Sequence, residues 1–291
     1  MGQSDVPRKK RWLAKTLDVA GVHGALLRTQ SVFASRGYVR AVNYHGTPAL
    51  MADSFERQVA FYAEHFSDTT YDDLVDFFRE GRWKKPRPGI LVTFDDGLRS
   101  NRDVALPILE RYGLTGWFFV PFAFIDAEPP AQEEFARTHH IQLDQRYGDT
   151  RAAMSWDELR AMSARHVVGC HTRTHRRMHA DVAPAVVEDE ILAARRDMEE
   201  RLGRPVETYC WVGGEEHSYS AEAARVVRRG GYRFAFMTNN APITPDTDPL
   251  QLQRTNIEAG YPLDVVRFQL SGVMDALYAP KRDRVNRLTA R

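Results

Sequence analysis

The sequence predicts a single parallel α/β domain, on three observations. Short apolar, β-branched runs alternate with helical patterns along most of the chain. One such run, Gly89 to Phe94 (GILVTF), stops on two adjacent carboxylates, Asp95 and Asp96, followed by Gly97. No internal repeat or low-complexity linker divides the 291 residues. Alternation of this kind builds parallel sheet with helical crossovers and places chemistry at the carboxyl ends of the strands.

In order, Val39 to Tyr44 reads as a first strand ending at His45-Gly46, and Ser54 to about His65 as a helix. A helix at Tyr71 to Arg79 stops near Gly81. The strand bounded by Pro88-Gly89 and Gly97 is followed by a helix from Asn101 to Tyr112, and Gly116 to Pro121 is a third strand. Residues 126–150, opening on Asp126-Ala127-Glu128-Pro129-Pro130 and holding His139 and His140, read as a long loop bordering the site. Ser155 and Glu158 have the spacing of a capping box at a helix start. Val167 to Cys170 is a fourth strand, and Pro184 to Leu202 a long helix stopped by Gly203 and Pro205. Glu207 to Val212, Tyr232 to Met237 and Leu250 to Ile257 complete seven strands, with helices at Ala221 to Arg229 and Leu263 to Leu277.

Hydrophobic content of 43% with 27% charged residues is ordinary for a globular protein, and a net charge of +1 argues for no nucleic-acid partner. Two cysteines, Cys170 and Cys210, make neither a disulfide framework nor a CxxC zinc pair. Cys170 reads as structural. The longest apolar runs are too short for a membrane span. The basic start, with Arg8 to Arg11 and Trp12, lacks a signal-type apolar region and reads as a helical extension packed on the domain, with a peripheral membrane contact as the alternative. The expected organisation is a basic, amphipathic extension over 1–37, a catalytic domain over 38–280 and a polar tail over 281–291, in a cytoplasmic protein.

Two adjacent acids repel, so a metal, a cation or a shared proton must justify them. A second motif, His171-Thr172-Arg173-Thr174-His175, directly follows the fourth strand. It is not the HExxH of zinc proteases, since Thr172 stands where the glutamate would be. Two imidazoles and a carboxylate make three ligands and leave open positions, the arrangement of a catalytic metal site.

TFDDG at Thr93 to Gly97 followed by HTRTH at His171 to His175 resembles the polysaccharide deacetylases, the NodB-homology or carbohydrate esterase 4 group. The resemblance runs from about Val39 to about Leu277. It implies a single distorted (β/α)7 barrel, in agreement with the seven strands counted. It also implies that Asp96, His171 and His175 hold a divalent metal, usually zinc, and that Asp95 is the general base; cobalt and nickel suit the same ligand types. The implied reaction removes an N-acetyl group from an amino sugar of a polysaccharide, a lipid-linked glycan or an O-antigen precursor. Deformylation of a lipid-linked amino sugar and glycan binding with weak catalysis are the alternatives.

The chain departs from that family after the fifth strand, where Trp211-Val212-Gly213-Gly214-Glu215-Glu216-His217 replaces the usual Arg-x-Pro-Tyr type of motif. Arg254, on the seventh strand, is the candidate for the missing arginine that orients the base. The late Leu-x-His motif is absent too, as no histidine follows His217. Tyr44-His45 resembles the early Tyr-His of deacetylases acting on poly-N-acetylglucosamine, which makes His45 the candidate acid, with His217 a weaker rival. Trp211, Gly213, Gly214, Glu215 and His217 are the candidate substrate contacts, Trp211 by stacking on a sugar.

Overall fold

The computed structural model describes residues 35–147 and 150–290, so the N-terminal extension expected over 1–37 lies almost wholly outside the described residues. Seven strands close into a parallel barrel: β1 (Val39–Tyr44), β3 (Gly89–Phe94), β4 (Gly116–Val120), β5 (Val167–Cys170), β6 (Thr208–Cys210), β7 (Phe234–Met237) and β8 (Leu252–Asn256). β1 closes the ring by pairing with β3 from Val39↔Gly89 to Tyr44↔Phe94 and with β8 at Ala41↔Arg254. An additional two-residue strand, β2 (Ser67–Asp68), pairs only with the start of β3.

Side chains alternate across each strand, and the barrel sorts them into two cores. Val39, Ala41, Leu91, Trp117, Phe119, Cys210, Phe236 and Leu252 fill the interior. Val42, Tyr44, Ile90, Val92, Phe94, Phe118, Val120 and Tyr209 face the surrounding helices. Burial on both faces explains why GILVTF is almost uniformly apolar.

The helices are α1 (Ala52–His65), α2 (Tyr71–Glu80), α3 (Leu106–Arg111), α4 (Phe122–Asp126), α5 (Pro129–Thr138), α6 (Trp156–Met162), α7 (Pro184–Glu188), α8 (Ala194–Leu202), α9 (Ala221–Arg229), α10 (Leu263–Leu270) and α11 (Val273–Thr289). Capping boxes start α2 at Thr70 and α6 at Ser155, the latter as expected. Three expectations are corrected. The stretch 126–150 is not all loop, because Pro129 and Pro130 occupy the first turn of α5, where a missing N–H costs nothing. The long helix from Pro184 is interrupted by a π-helical turn at Asp189–Ala193. Residues 281–289 are not a tail but belong to α11, which buries Val285 and Thr289.

His166 lies in the layer outside the barrel, its side chain 1% exposed. The Gly116 N–H donates to its Nδ1 at 3.0 Å, a bond that requires the neutral ring. Burial lowers its pKa, only partly opposed by Glu110. The unfolded chain therefore takes up a proton first, and this contribution to stability is complete above about pH 6.5 and fades as pH falls below it. Urea unfolding of the parent should lose midpoint between pH 7 and 5 more steeply than His166→Gln. Equal slopes would place the acid sensitivity elsewhere.

Candidate active site

The carboxyl ends of β1, β3, β5, β6 and β8 converge on one buried polar cluster. At the end of β3 the chain enters left-handed backbone at Asp96 (φ 72) and Gly97 (φ 68). Such a conformation is unusual for a residue with a side chain, and it turns the second carboxylate away from the first. A side chain at Gly97 would meet Val120 and Ile125 at 2.9 and 2.8 Å, so glycine alone fits both the space and the torsion.

Asp95, 3% exposed, continues the interior parity of Leu91 and Thr93. Arg254 has the interior parity of Leu252 on β8 and is itself 1% exposed. The two meet in a bidentate pair, Nη1 to Oδ1 at 2.6 Å and Nη2 to Oδ2 at 2.8 Å. Arg254 also donates to Thr93 Oγ1 at 3.0 Å and Thr238 Oγ1 at 3.2 Å, and its guanidinium lies over the Phe119 ring. Burial opposes the charge on Asp95, but Arg254, assisted by His171, holds its carboxyl below the usual value. The Cys210 thiol reaches Asp95 Oδ1 at 3.5 Å.

His171 follows β5, and the loop it opens has left-handed backbone at Thr172 (φ 65) and His175 (φ 59). A β-branched residue in that region is strained, and several clamps hold it there. Thr172 Oγ1 accepts from Arg176 N at 3.0 Å, and Thr172 O accepts from Phe122 N at 3.2 Å. Glu190, 3% exposed, accepts from Thr174 N at 2.8 Å and from the Thr174 hydroxyl.

His171 Nδ1 faces the Cys210 carbonyl at 2.9 Å, and His175 Nδ1 faces the His139 carbonyl at 2.8 Å. A carbonyl can only accept, so in each neutral ring the proton sits on Nδ1 and Nε2 presents a lone pair. Both lone pairs point at Asp96 Oδ1, His175 Nε2 at 3.1 Å and His171 Nε2 at 3.6 Å, while that oxygen has no hydrogen-bond donor. Three acceptors aimed at each other, Asp96 and His171 buried and His175 partly so, are a donor set for a cation. Ligand atoms on a tetrahedral ion with bonds of about 2.0–2.1 Å stand about 3.3 Å apart, so the residues fit a metal. Burial brings His171 down to about 4, against the raising pull of Asp95. Without a cation, Asp96 raises the pKa of the partly buried His175, and the protonated ring holds the buried Asp96 carboxyl well below the ordinary range; a bound metal would take the place of that proton. Asp95, His171 and Cys210 form a second buried donor group that shares His171.

The polysaccharide deacetylase family model matches residues 82–235, just over half of the chain and both motifs. The chain belongs to the polysaccharide deacetylase family. It is a hydrolase of the carbohydrate N-deacetylase class. No curated protein matches the sequence. Among solved structures, the Streptococcus pyogenes deacetylase PplD, in complex with acetate, aligns with TM-score 0.64 at 15% identity, over 81% of this chain and 99% of that one. IcaB from Ammonifex degensii aligns with TM-score 0.59 at 19% identity, over 82% and 97%. The deacetylase domain of BpsB from Bordetella bronchiseptica aligns with TM-score 0.57 at 17% identity, over 76% and 96%. At these identities the likeness is one of fold, the (β/α)7 barrel.

In this deacetylase a groove of about 2350 Å³ opens over the cluster, lined by His45, Asp96 and His175 at its floor. One wall is Pro48 to Met51, Ser54, Arg57, Glu258 to Gly260 and Pro262. Glu133 and Thr138 of α5 and the segment from His139 to Arg146 form another, so the expectation that residues 126–150 border the site holds for these positions. His45 acts electrostatically on both Asp95 and Asp96.

The expected substrate contacts fare unevenly. Trp211 is 2% exposed and packs between Tyr209 and Tyr219, so it presents no face to a sugar. Gly213 lines the groove. Gly214 is packed close to Thr238, and its carbonyl accepts from Lys281 at 2.5 Å. Glu215 is occupied locally, accepting from Gly214 N at 3.2 Å and Ser218 Oγ at 3.1 Å. His217 lines a separate cavity and stacks on His179 with ring centroids 5.2 Å apart. Glu190 escaped the sequence reading, because the π turn that carries it alters which face of the helix it occupies. No helix among the described residues is long and apolar enough to cross a membrane.

Proposed function

We propose that this protein hydrolyses the N-acetyl amide of an amino sugar in a glycan or glycan precursor, with a divalent metal, zinc by preference, held by Asp96, His171 and His175. The observation that carries this is the meeting of three acceptors, two of them buried, beside a second carboxylate already neutralised by its own arginine. Two imidazoles and one carboxylate suit zinc first, with cobalt and nickel accepted by the same ligands.

A divalent ion at that position supplies Lewis acidity to the acyl carbonyl and to a water. Asp95 accepts the proton of the attacking water. Arg254 keeps that carboxylate ionised and fixes its plane, the task of the arginine missing after β6. His45, at the groove floor, donates a proton to the departing amine. His217 is a poorer candidate for this step, since it faces another cavity.

The test is release of acetate and free amine in equal amounts from N-acetylglucosamine oligomers by zinc-loaded protein. Chelation should stop the release and added zinc should restore it. Formate release from an N-formyl sugar alone would move the reading to deformylation. Glycan binding without any acyl release would overturn it.

A further inference from the structure

We propose that the amino sugar taken by this groove carries a phosphate ester or a pyrophosphate; this rests on the deacetylase reading above and names its substrate class. Neutral glycans are commonly held by stacking the apolar faces of their rings on aromatic side chains, which offer large flat contacts. Among the described residues no tryptophan, tyrosine or phenylalanine lines the groove. Trp117, Trp211, Tyr44 and Tyr219 are all buried elsewhere.

Arginines stand in their place. Arg57 on α1 is exposed at the groove wall and makes no hydrogen bond or ion pair with any described residue. Arg146 is exposed on the segment after α5. Arg176 and Arg177, after β5, are about half exposed, at 50% and 44%, and touch Glu190 and Glu215 only at 3.5 and 3.6 Å. The carboxylates of the groove are already engaged. Glu133 accepts from Tyr147 N and Asp144 from Tyr147 OH, both at 2.8 Å, and Glu258 accepts from Asn256 at 3.4 Å. Asp96 faces the histidines. Four arginines and four carboxylates thus share the groove, but each acid already accepts a hydrogen bond or faces the histidines, whereas Arg57 and Arg146 present exposed guanidinium forks, which match phosphate oxygens bidentately. A groove of about 2350 Å³ also exceeds the roughly 300–1,000 Å³ of ordinary small-ligand sites, so it has room beyond a single acetylated sugar.

Acyl release by zinc-loaded protein is measured on three substrates: a neutral N-acetylglucosamine oligomer, a nucleoside-diphosphate N-acetylhexosamine, and the same sugar on a polyprenyl pyrophosphate in detergent micelles. One phosphorylated substrate is expected to show the highest kcat/KM, and which one it is separates a nucleotide from a lipid source. Arg57→Ala should shrink the phosphorylated-to-neutral preference about tenfold, mainly through KM, as for loss of a charge-assisted bond. The preference should also weaken as salt rises. Equal or better turnover of the neutral oligomer, or a preference untouched by Arg57→Ala, would overturn the proposal while leaving the deacetylase reading intact. No acyl release from any substrate would sink the deacetylase reading. Calorimetric binding of the nucleotide sugar then decides the anion site separately, and binding that is absent or independent of Arg57 refutes it.

Discussion

Replacing His171 and His175 together by alanine is expected to strip the protein of its metal and to reduce acetate release to the uncatalysed background. Elemental analysis should fall from about one zinc per chain to none. Each ring contributes a bare Nε2 because its Nδ1 is committed to a carbonyl, Cys210 for His171 and His139 for His175. Alanine removes both lone pairs and leaves Asp96 Oδ1 as an isolated buried acceptor. If the double variant proves unstable, His175→Gln supplies the check, since it approximates the size of the ring without its nitrogen geometry. Full metal content in both variants would show that the ion is held elsewhere.

Asp95→Asn should lower kcat by about a thousandfold, within the range for loss of a general base, with zinc content unchanged. It should also destabilise the fold, which separates this position from an ordinary polar residue. Arg254 is buried with its charge answered, among the described residues, by Asp95, and removing one partner of such a pair costs about 3–5 kcal/mol. Asparagine can accept from Nη1 but presents an amide N–H₂ toward Nη2. The double variant Asp95→Asn with Arg254→Met should recover stability relative to Asp95→Asn, as the stranded cation is gone, while activity stays lost. Urea midpoints and single-turnover acetate release measure the two effects independently. Retained activity in Asp95→Asn would assign the base elsewhere.

Much of this architecture was legible in the sequence because burial on both faces leaves a strand almost purely apolar, as in GILVTF. The seven barrel strands were found, with ends that the structure trims by a residue or two. Arg254 is placed by the same alternation: two positions after Leu252, it shares that residue's interior face, which the sequence reading did not use. The failures have equally local causes. Pro129-Pro130 suggests a loop until the pair is seen to occupy the first turn of α5, where prolines fit. Pro280 lies within α11, in a segment so polar that only Val285 and Thr289 are buried, so the pattern looked like a tail. Trp211 looked available because aromatic type carries no information on which side of a loop the ring falls. The clamps on the second histidine come from distant segments, and no spacing reveals them.

One of those clamps ties two properties that are usually treated as separable. The His139 carbonyl that sets the tautomer of His175 sits at the start of the segment that walls the groove. Any insertion, graft or directed-evolution change that reshapes this wall to admit a different glycan will also move the acceptor that orients the histidine. Selectivity and metal retention are thus inherited together. A library built in 138–146 should be screened under zinc limitation as well as for substrate, since some variants with new specificity will work only when the ion is abundant.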